Sequence, residues 1–164
     1  MNIFILDTDP TRAAHMQCDK HVVKMVLETG QMLSTVQRQL GNDDDQLYRS
    51  THQHHPCTRW AAETRGNYYW LWQHFRALAD EFKYRYGNTH LTWTKLRTVT
   101  DFVPPNMSDS IDMTPFALAM PDEYKTDCAV QSYRNYYRNA KSAILAYTKR
   151  QSPDWLTEQS QPNG

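Results

Sequence analysis

Two long stretches in which apolar residues return every 3.6 positions constrain this chain more than any other feature. In residues 10–40, Val22, Val26, Leu33, Val36 and Leu40 share one stripe. In residues 58–86, Trp60, Thr64, Leu71, Phe75, Leu78 and Phe82 do the same. A backbone that turns by about 100° per residue places such positions on one face, and that face must be buried. Few runs alternate apolar with polar side chains, and only five residues are glycine, so helices are favoured over sheets. The expected fold is all-α: a compact single-domain helical fold, with three main helices joined by long irregular connections. The domain is expected to span 1–156, followed by a flexible tail, 157–164.

The punctuation agrees with that reading. Asp7-Thr8-Asp9-Pro10 ends a short apolar run and offers a helix N-cap with proline in the first turn. The first helix is expected over 10–40, with a break near Asp19, and Gly41-Asn42-Asp43 stops it. The longest helix is expected over 58–86, closed by Gly87-Asn88, then a short one over 92–99 and a last one over 127–149. Residues 103–122 contain four prolines yet are too apolar for a linker, so they are expected to lie over the core or line a cleft.

At 164 residues the chain is long enough to bury a core without covalent staples. Its formal net charge is zero, which argues against the broad positive field of duplex-DNA binders while leaving room for a local basic patch. Three cysteines, Cys18, Cys57 and Cys128, are an odd number, and no run approaches the about 20 apolar residues that span a bilayer. The expectation is a reduced, cytoplasmic monomer that does not engage a membrane and needs no cofactor.

Three clusters carry potential chemistry. On the first helix His21 and Glu28 are two turns apart and within about 20° of each other, at the margin of the core stripe, with Lys24 one turn before the carboxylate. A carboxylate at an apolar margin suits acid–base work; the same residues would also make an ordinary boundary face with an i,i+4 ion pair. Cys18, His21 and His15 on this helix, with His52, His54, His55 and Cys57 in one loop, could supply a tetrahedral zinc site or merely cap and pack. The spacing matches no recurring zinc signature, and no metal ligand is assigned. In the last helix Tyr133, Tyr136 and Tyr137 interleave with Arg134, Arg138 and Lys141, as on nucleic-acid surfaces. Tyrosines packed on a core beneath solvated cations would give the same pattern.

Read in order, these segments resemble a known family. Asp19-Lys20-His21-Val22, with Glu28 seven residues beyond the histidine, resembles the Asp-Gln-His-Leu…Glu segment of the pyrimidine-dimer DNA glycosylases, the endonuclease V enzymes of T-even phages. His55-Pro56-Cys57 leading into a long aromatic helix that ends Tyr84-Arg85-Tyr86-Gly87 is similar to the family's Gly-His-Val segment and second helix. Ser152-Pro153-Asp154-Trp155 looks like its Arg-Pro-Thr-Trp run. The run Asp-Lys-His-Val-Val-Lys-Met is also similar to that of small phage-encoded proteins, which would place the chain in a host cytoplasm.

The resemblance implies an all-helical enzyme that removes a damaged or modified base from DNA and can then cleave the abasic strand as a lyase. It implies that an N-terminal α-amine, of Met1 or, after Met removal, of Asn2, attacks the sugar C1′. α-Amines titrate near pH 8, so part of the population is a free nucleophile at neutral pH. Glu28 matches the assisting glutamate, and His21 matches a histidine next to the site. Lys24, His55, Arg59, Arg134, Tyr137, Arg138 and Lys141 are the expected substrate contacts. Leu27 and Gln31 stand where the family has phosphate-binding arginines, a departure that modified or single-stranded DNA tolerates better than damaged duplex. Two alternatives come from other classes: a non-enzymatic binding protein acting on a nucleic-acid enzyme or host factor, and a zinc-dependent hydrolase.

Overall fold

A computed structural model describes residues 1–158 of the chain. Asp9 caps the first helix, its carboxylate accepting the N–H groups of Thr11 and Arg12, and α1 (Pro10–Met16) begins on the proline whose missing N–H costs nothing there. Gln17 and Cys18 are extended, which makes the break expected near Asp19, and α2 (Asp19–Gln39) starts beyond it. Gly41, at φ 100°, then stops it: a Cβ there would stand 2.7 Å from the Asn106 amide, whose backbone N–H donates to the Leu40 carbonyl.

The helix expected over 58–86 is likewise two helices, α3 (Pro56–Glu63) and α4 (Arg65–Tyr86). Thr64 adopts extended dihedrals and caps α4 through its hydroxyl, which accepts the Asn67 N–H. Asn67 in turn donates to the Trp60 carbonyl, bridging the corner. Gly87, at φ 82°, closes α4. A short α5 (Leu91–Leu96) and α6 (Ala129–Ala140) complete the set, with three single 3₁₀ turns. Among the described residues there is no strand, so the all-α expectation holds.

α6 ends at Ala140, not at residue 149 as expected. From Lys141 the chain leaves helical geometry and turns back onto the start of α2. The competing attraction is Asp19: its N–H donates to the Ala146 carbonyl, and its carboxylate accepts the Thr148 N–H and hydroxyl and the Arg85 guanidinium. Desolvation works against that carboxylate, but the Thr148 bonds and Arg85 outweigh it and hold it below the usual aspartate range. Arg85 and Glu81 are both buried, and Arg150 reaches Glu81 at 2.6 Å, so two guanidiniums serve one carboxylate. Breaking such a buried pair by removing one partner costs about 3–5 kcal/mol, which makes this the clamp on the C-terminal segment.

α2 and α4 cross at the centre, α1 lies along α4, and α3 packs on both. Both predicted stripes are buried, except that Leu40 and Phe82 stay at the margin. The buried set extends beyond them to the N-terminal run Ile3–Leu6 and to Tyr133 and Tyr137 of α6. Burying each such aliphatic side chain contributes roughly 1.5–3 kcal/mol. Residues 103–122 do lie over the core: Thr114 bonds to Asn67 and Trp60, and the Tyr133 hydroxyl donates to the Ala117 carbonyl at 2.6 Å. Beyond Glu158, the expected tail lies outside the described residues.

Candidate active site

The site begins with how residues 1–4 are held. The Asn2 side chain points inward: its Oδ1 accepts the N–H groups of Ile3 and Phe4, and its Nδ2 donates to the Ala119 carbonyl at 2.7 Å. This Asx turn lets Phe4 adopt φ 55°, a left-handed conformation that costs a bulky residue about 1–3 kcal/mol and persists only where neighbours over-determine it. The result is a reversal that buries the Phe4 ring and leaves Met1 beside α2.

The Phe4 ring lies on His21, with centroids 4.2 Å apart and planes 13° from parallel. His21 Nδ1 is 2.8 Å from the Tyr137 hydroxyl, whose oxygen also accepts the Cys18 N–H at 2.8 Å. We assign the Tyr137 proton to His21 Nδ1, which leaves the proton of the neutral imidazole on Nε2. Burial, then the charges of Lys141 and Lys24, push the His21 pKa down to about 4. At neutral pH this ring is an uncharged donor, not a cation.

Glu28 lies two turns beyond His21 on the same face. Lys24 approaches its Oε1 at 3.7 Å from a largely exposed position, a pair worth a few tenths of a kcal/mol. Its other oxygen, Oε2, is buried and accepts no hydrogen bond. A carboxylate oxygen held so carries a desolvation cost that a packed protein rarely leaves uncompensated without a role for it. Met1, Asn2, Phe4, His21, Lys24, Met25, Glu28, Tyr136 and Lys141 line one cavity of about 140 Å³.

His55 caps α3, its Nδ1 accepting the Cys57 N–H at 3.1 Å. Burial first, then the N-terminal amine and His52, lower its pKa, and the Met1 carbonyl and Glu28 oppose the shift.

The expected residues thus divide. Met1, Asn2, His21, Lys24, Glu28 and Lys141 come together, and His55 is not among the residues that line the cavity. Asn2 is a buried anchor whose side chain faces away from substrate. Tyr137 cannot touch a substrate either, because it is fully buried beneath His21; its part is structural. Arg134 turns inward, donating to the Leu6 carbonyl, pairing with Asp7 and covering the Trp155 ring. Arg138 is spent on the Trp155 carbonyl and Asn135, and Arg59 is exposed beside His54. In both arginines of α6 the local gain of bonding backbone carbonyls of the C-terminal and N-terminal segments outweighs presentation to solvent.

The histidines and cysteines of the zinc hypothesis are dispersed: among the described residues no three His, Cys, Asp or Glu side chains are grouped to hold a metal ion. Cys57 is buried against Tyr133 and the Ile3 carbonyl, and burial pushes its thiol up to about 12. Three residues of the cavity were not among the expected site residues: Phe4, Met25 and Tyr136. The polar Asn2 two positions before Phe4 is the one local hint of the turn. Lys141 lies over the Tyr136 ring at 4.9 Å, which keeps that lysine at the rim. Larger clefts, of about 450–500 Å³, exist elsewhere, but neither Met1 nor Glu28 lines them.

Comparison with known proteins bears on the same segment. No curated protein and no solved structure matches the chain. The family described as pyrimidine dimer DNA glycosylase matches residues 1–95, which include Met1, His21, Glu28 and His55. By that match over more than half its length, the chain belongs to the pyrimidine dimer DNA glycosylase family.

Proposed function

We propose that this protein cleaves the glycosidic bond of a damaged or modified nucleotide in DNA and then acts as an abasic-site lyase, with the Met1 amine as nucleophile and Glu28 as its carboxylate partner. The observation that carries the reading is the shared cavity: Met1 and Glu28, whose Oε2 has no hydrogen-bond partner, line the same small space.

The chemistry follows from that pairing. The amine nitrogen attacks C1′ of the deoxyribose, the C1′–N bond to the base breaks, and the base leaves with its bonding pair and takes up a proton. Glu28 Oε2 stabilises the positive charge that grows on the sugar and receives the proton the amine sheds. The sugar ring opens to an imine; loss of a C2′ proton then expels the 3′ phosphate, and water releases the amine. His21, neutral and stacked on Phe4, offers Nε2–H to the sugar oxygens without adding charge beside the amine.

A cavity of about 140 Å³ takes a sugar or the edge of a base and is well below the roughly 300–1,000 Å³ that engulfs a whole ligand. The substrate nucleotide must therefore be drawn out of the stack for C1′ to reach Met1, at a cost of a few kcal/mol. Lys24 and Lys141 are the cations of the rim and meet the flanking phosphates. Leu27, 40% exposed, gives that rim an apolar element in place of a charge.

The test uses oligonucleotides containing a pyrimidine dimer or an abasic site, with borohydride to reduce the imine. A covalent protein–DNA adduct is expected, mapped to Met1. Glu28→Gln is expected to lower its formation about 100-fold or more, the scale seen when a group acting in the transition state is removed. Undiminished adduct formation by protein whose Met1 amine is acetylated, or an adduct mapped to another residue, would overturn the assignment.

A further inference from the structure

Two large apolar side chains stand in solvent beside the candidate active site. Leu27 is 40% exposed and Val23 42% exposed, both on α2, the helix that brings His21, Lys24, Met25 and Glu28 to the cavity. Every other valine, leucine and methionine of α2 is buried. Of the large apolar side chains exposed among the described residues, these two alone stand on a helix that lines the cavity. A single exposed leucine needs no explanation, whereas a contiguous apolar patch does. Val23 and Leu27 are four positions apart on one helix, so their Cβ atoms are neighbours at about 6 Å.

Their place relative to the carboxylate follows from helix geometry. At about 100° per residue, Lys24 lies about 40° round α2 from Glu28, and Leu27 about 60° beyond Lys24. Lys20, seven residues before Leu27, is within about 20° of it. Both lysines are exposed. Across the helix the order is therefore carboxylate, cations, apolar pair. Beyond the pair α5 closes the strip, packed so tightly on Gly30 that a Cβ there would stand 2.5 Å from Thr92 Cγ2. Leu91, the residue before Thr92, is exposed as well.

Cations beside an apolar tip suit a surface that holds phosphates and pushes between bases. The cavity supplies the need for one. At about 140 Å³ it does not engulf a nucleoside, so the target nucleotide leaves the stack at its mouth. The vacated position exposes the faces of the neighbouring bases, and an apolar side chain covers them where a charged one would lose its hydration. Leu27 and Glu28 are consecutive on one 21-residue helix, so seating the first in the duplex carries the second towards the sugar.

We infer that Leu27, backed by Val23, is the wedge that enters the base stack of duplex DNA and holds the displaced nucleotide out, with Lys20 and Lys24 on the flanking phosphates. The inference rests on the function proposed above for the chemistry that follows extrusion.

Single-turnover adduct formation with borohydride is measured on one abasic-site strand, alone and annealed to its complement. Leu27→Ala is expected to lower the ratio of duplex to single-strand rates about 10-fold or more, because only the duplex has a stack to open. Leu27→Met, close in volume, is expected to keep the ratio near the wild-type value. The urea midpoint of Leu27→Ala is expected to stay close to wild type, since the position is exposed. An unchanged ratio in Leu27→Ala, or wild-type reaction with the single strand alone, would overturn the inference. If the wild-type protein forms no adduct on any DNA, the proposed function fails, and the wedge is then decided without chemistry. A 2-aminopurine placed beside a tetrahydrofuran abasic analogue in a duplex brightens when it is unstacked. Wild type is expected to raise that fluorescence severalfold and Leu27→Ala to leave it low; equal fluorescence with the two proteins would refute the wedge by itself.

Discussion

Tyr137→Phe removes a single oxygen that serves two buried partners. In the folded protein that oxygen accepts the Cys18 N–H and faces His21 Nδ1, each at 2.8 Å, and Tyr137 itself is completely buried. Phenylalanine keeps the ring contacts with Phe4 and Trp155 but leaves one donor and one acceptor unpaired. Each orphaned group costs about 1–3 kcal/mol, and the two share a neighbourhood, so the expected loss is about 2–4 kcal/mol rather than the full sum. With a urea slope of about 2 kcal/mol/M for a chain of this size, the midpoint should fall by roughly 1–2 M at unchanged slope. The same substitution in a His21→Leu background should cost less, because one orphan is then absent. Adduct formation should also slow, since His21 loses the bond that sets its tautomer while keeping its stack on Phe4. A midpoint shift below about 0.3 M, or equal costs in the two backgrounds, would refute the claim that one hydroxyl holds both α2's start and the His21 ring.

The remaining predictions concern acid stability and close packing. His21 and His74 are buried, and burial is the largest cause holding each down to about 4 from an ordinary 6.5. The unfolded chain therefore binds more protons across that window, so stability is complete above about pH 6.5 and falls toward pH 4, by about 3 kcal/mol per histidine at order of magnitude. Urea unfolding at pH 7 and pH 4.5 measures it, and a flat profile would contradict the burial of both rings as neutral species. Gly66→Ala should destabilise by about 1–3 kcal/mol although alanine is the better helix former, because its Cβ would stand 2.4 Å from the Ile111 carbonyl oxygen. A thermal midpoint at or above the wild-type value would show that the 108–112 loop can yield.

Amphipathic periodicity determined the helical class and the stripes of the two central helices that enter the core from the sequence alone, because burial of a stripe is a property of spacing and side-chain chemistry. Val22, Val26, Leu33, Leu71 and Phe75 are buried where the 3.6 period put them. Helix ends marked by Gly41 and Gly87 were legible for the same local reason, the need for positive φ. The break before Asp19 was expected and is found at Gln17–Cys18, but the break at Thr64 was not, since its corner is held through Asn67 by a partner distant in sequence, Thr114. The fate of α6 shows the same divide: Arg134 and Arg138 read as a cationic surface, and only long-range carbonyl acceptors turned them inward. His21 and Glu28 could be aligned by counting residues along one helix. That Met1 meets them was decided by the reversal at Phe4, which the bond from Asn2 to the Ala119 carbonyl holds in place, because a hydrogen bond between residues far apart in the chain leaves no local trace in either segment.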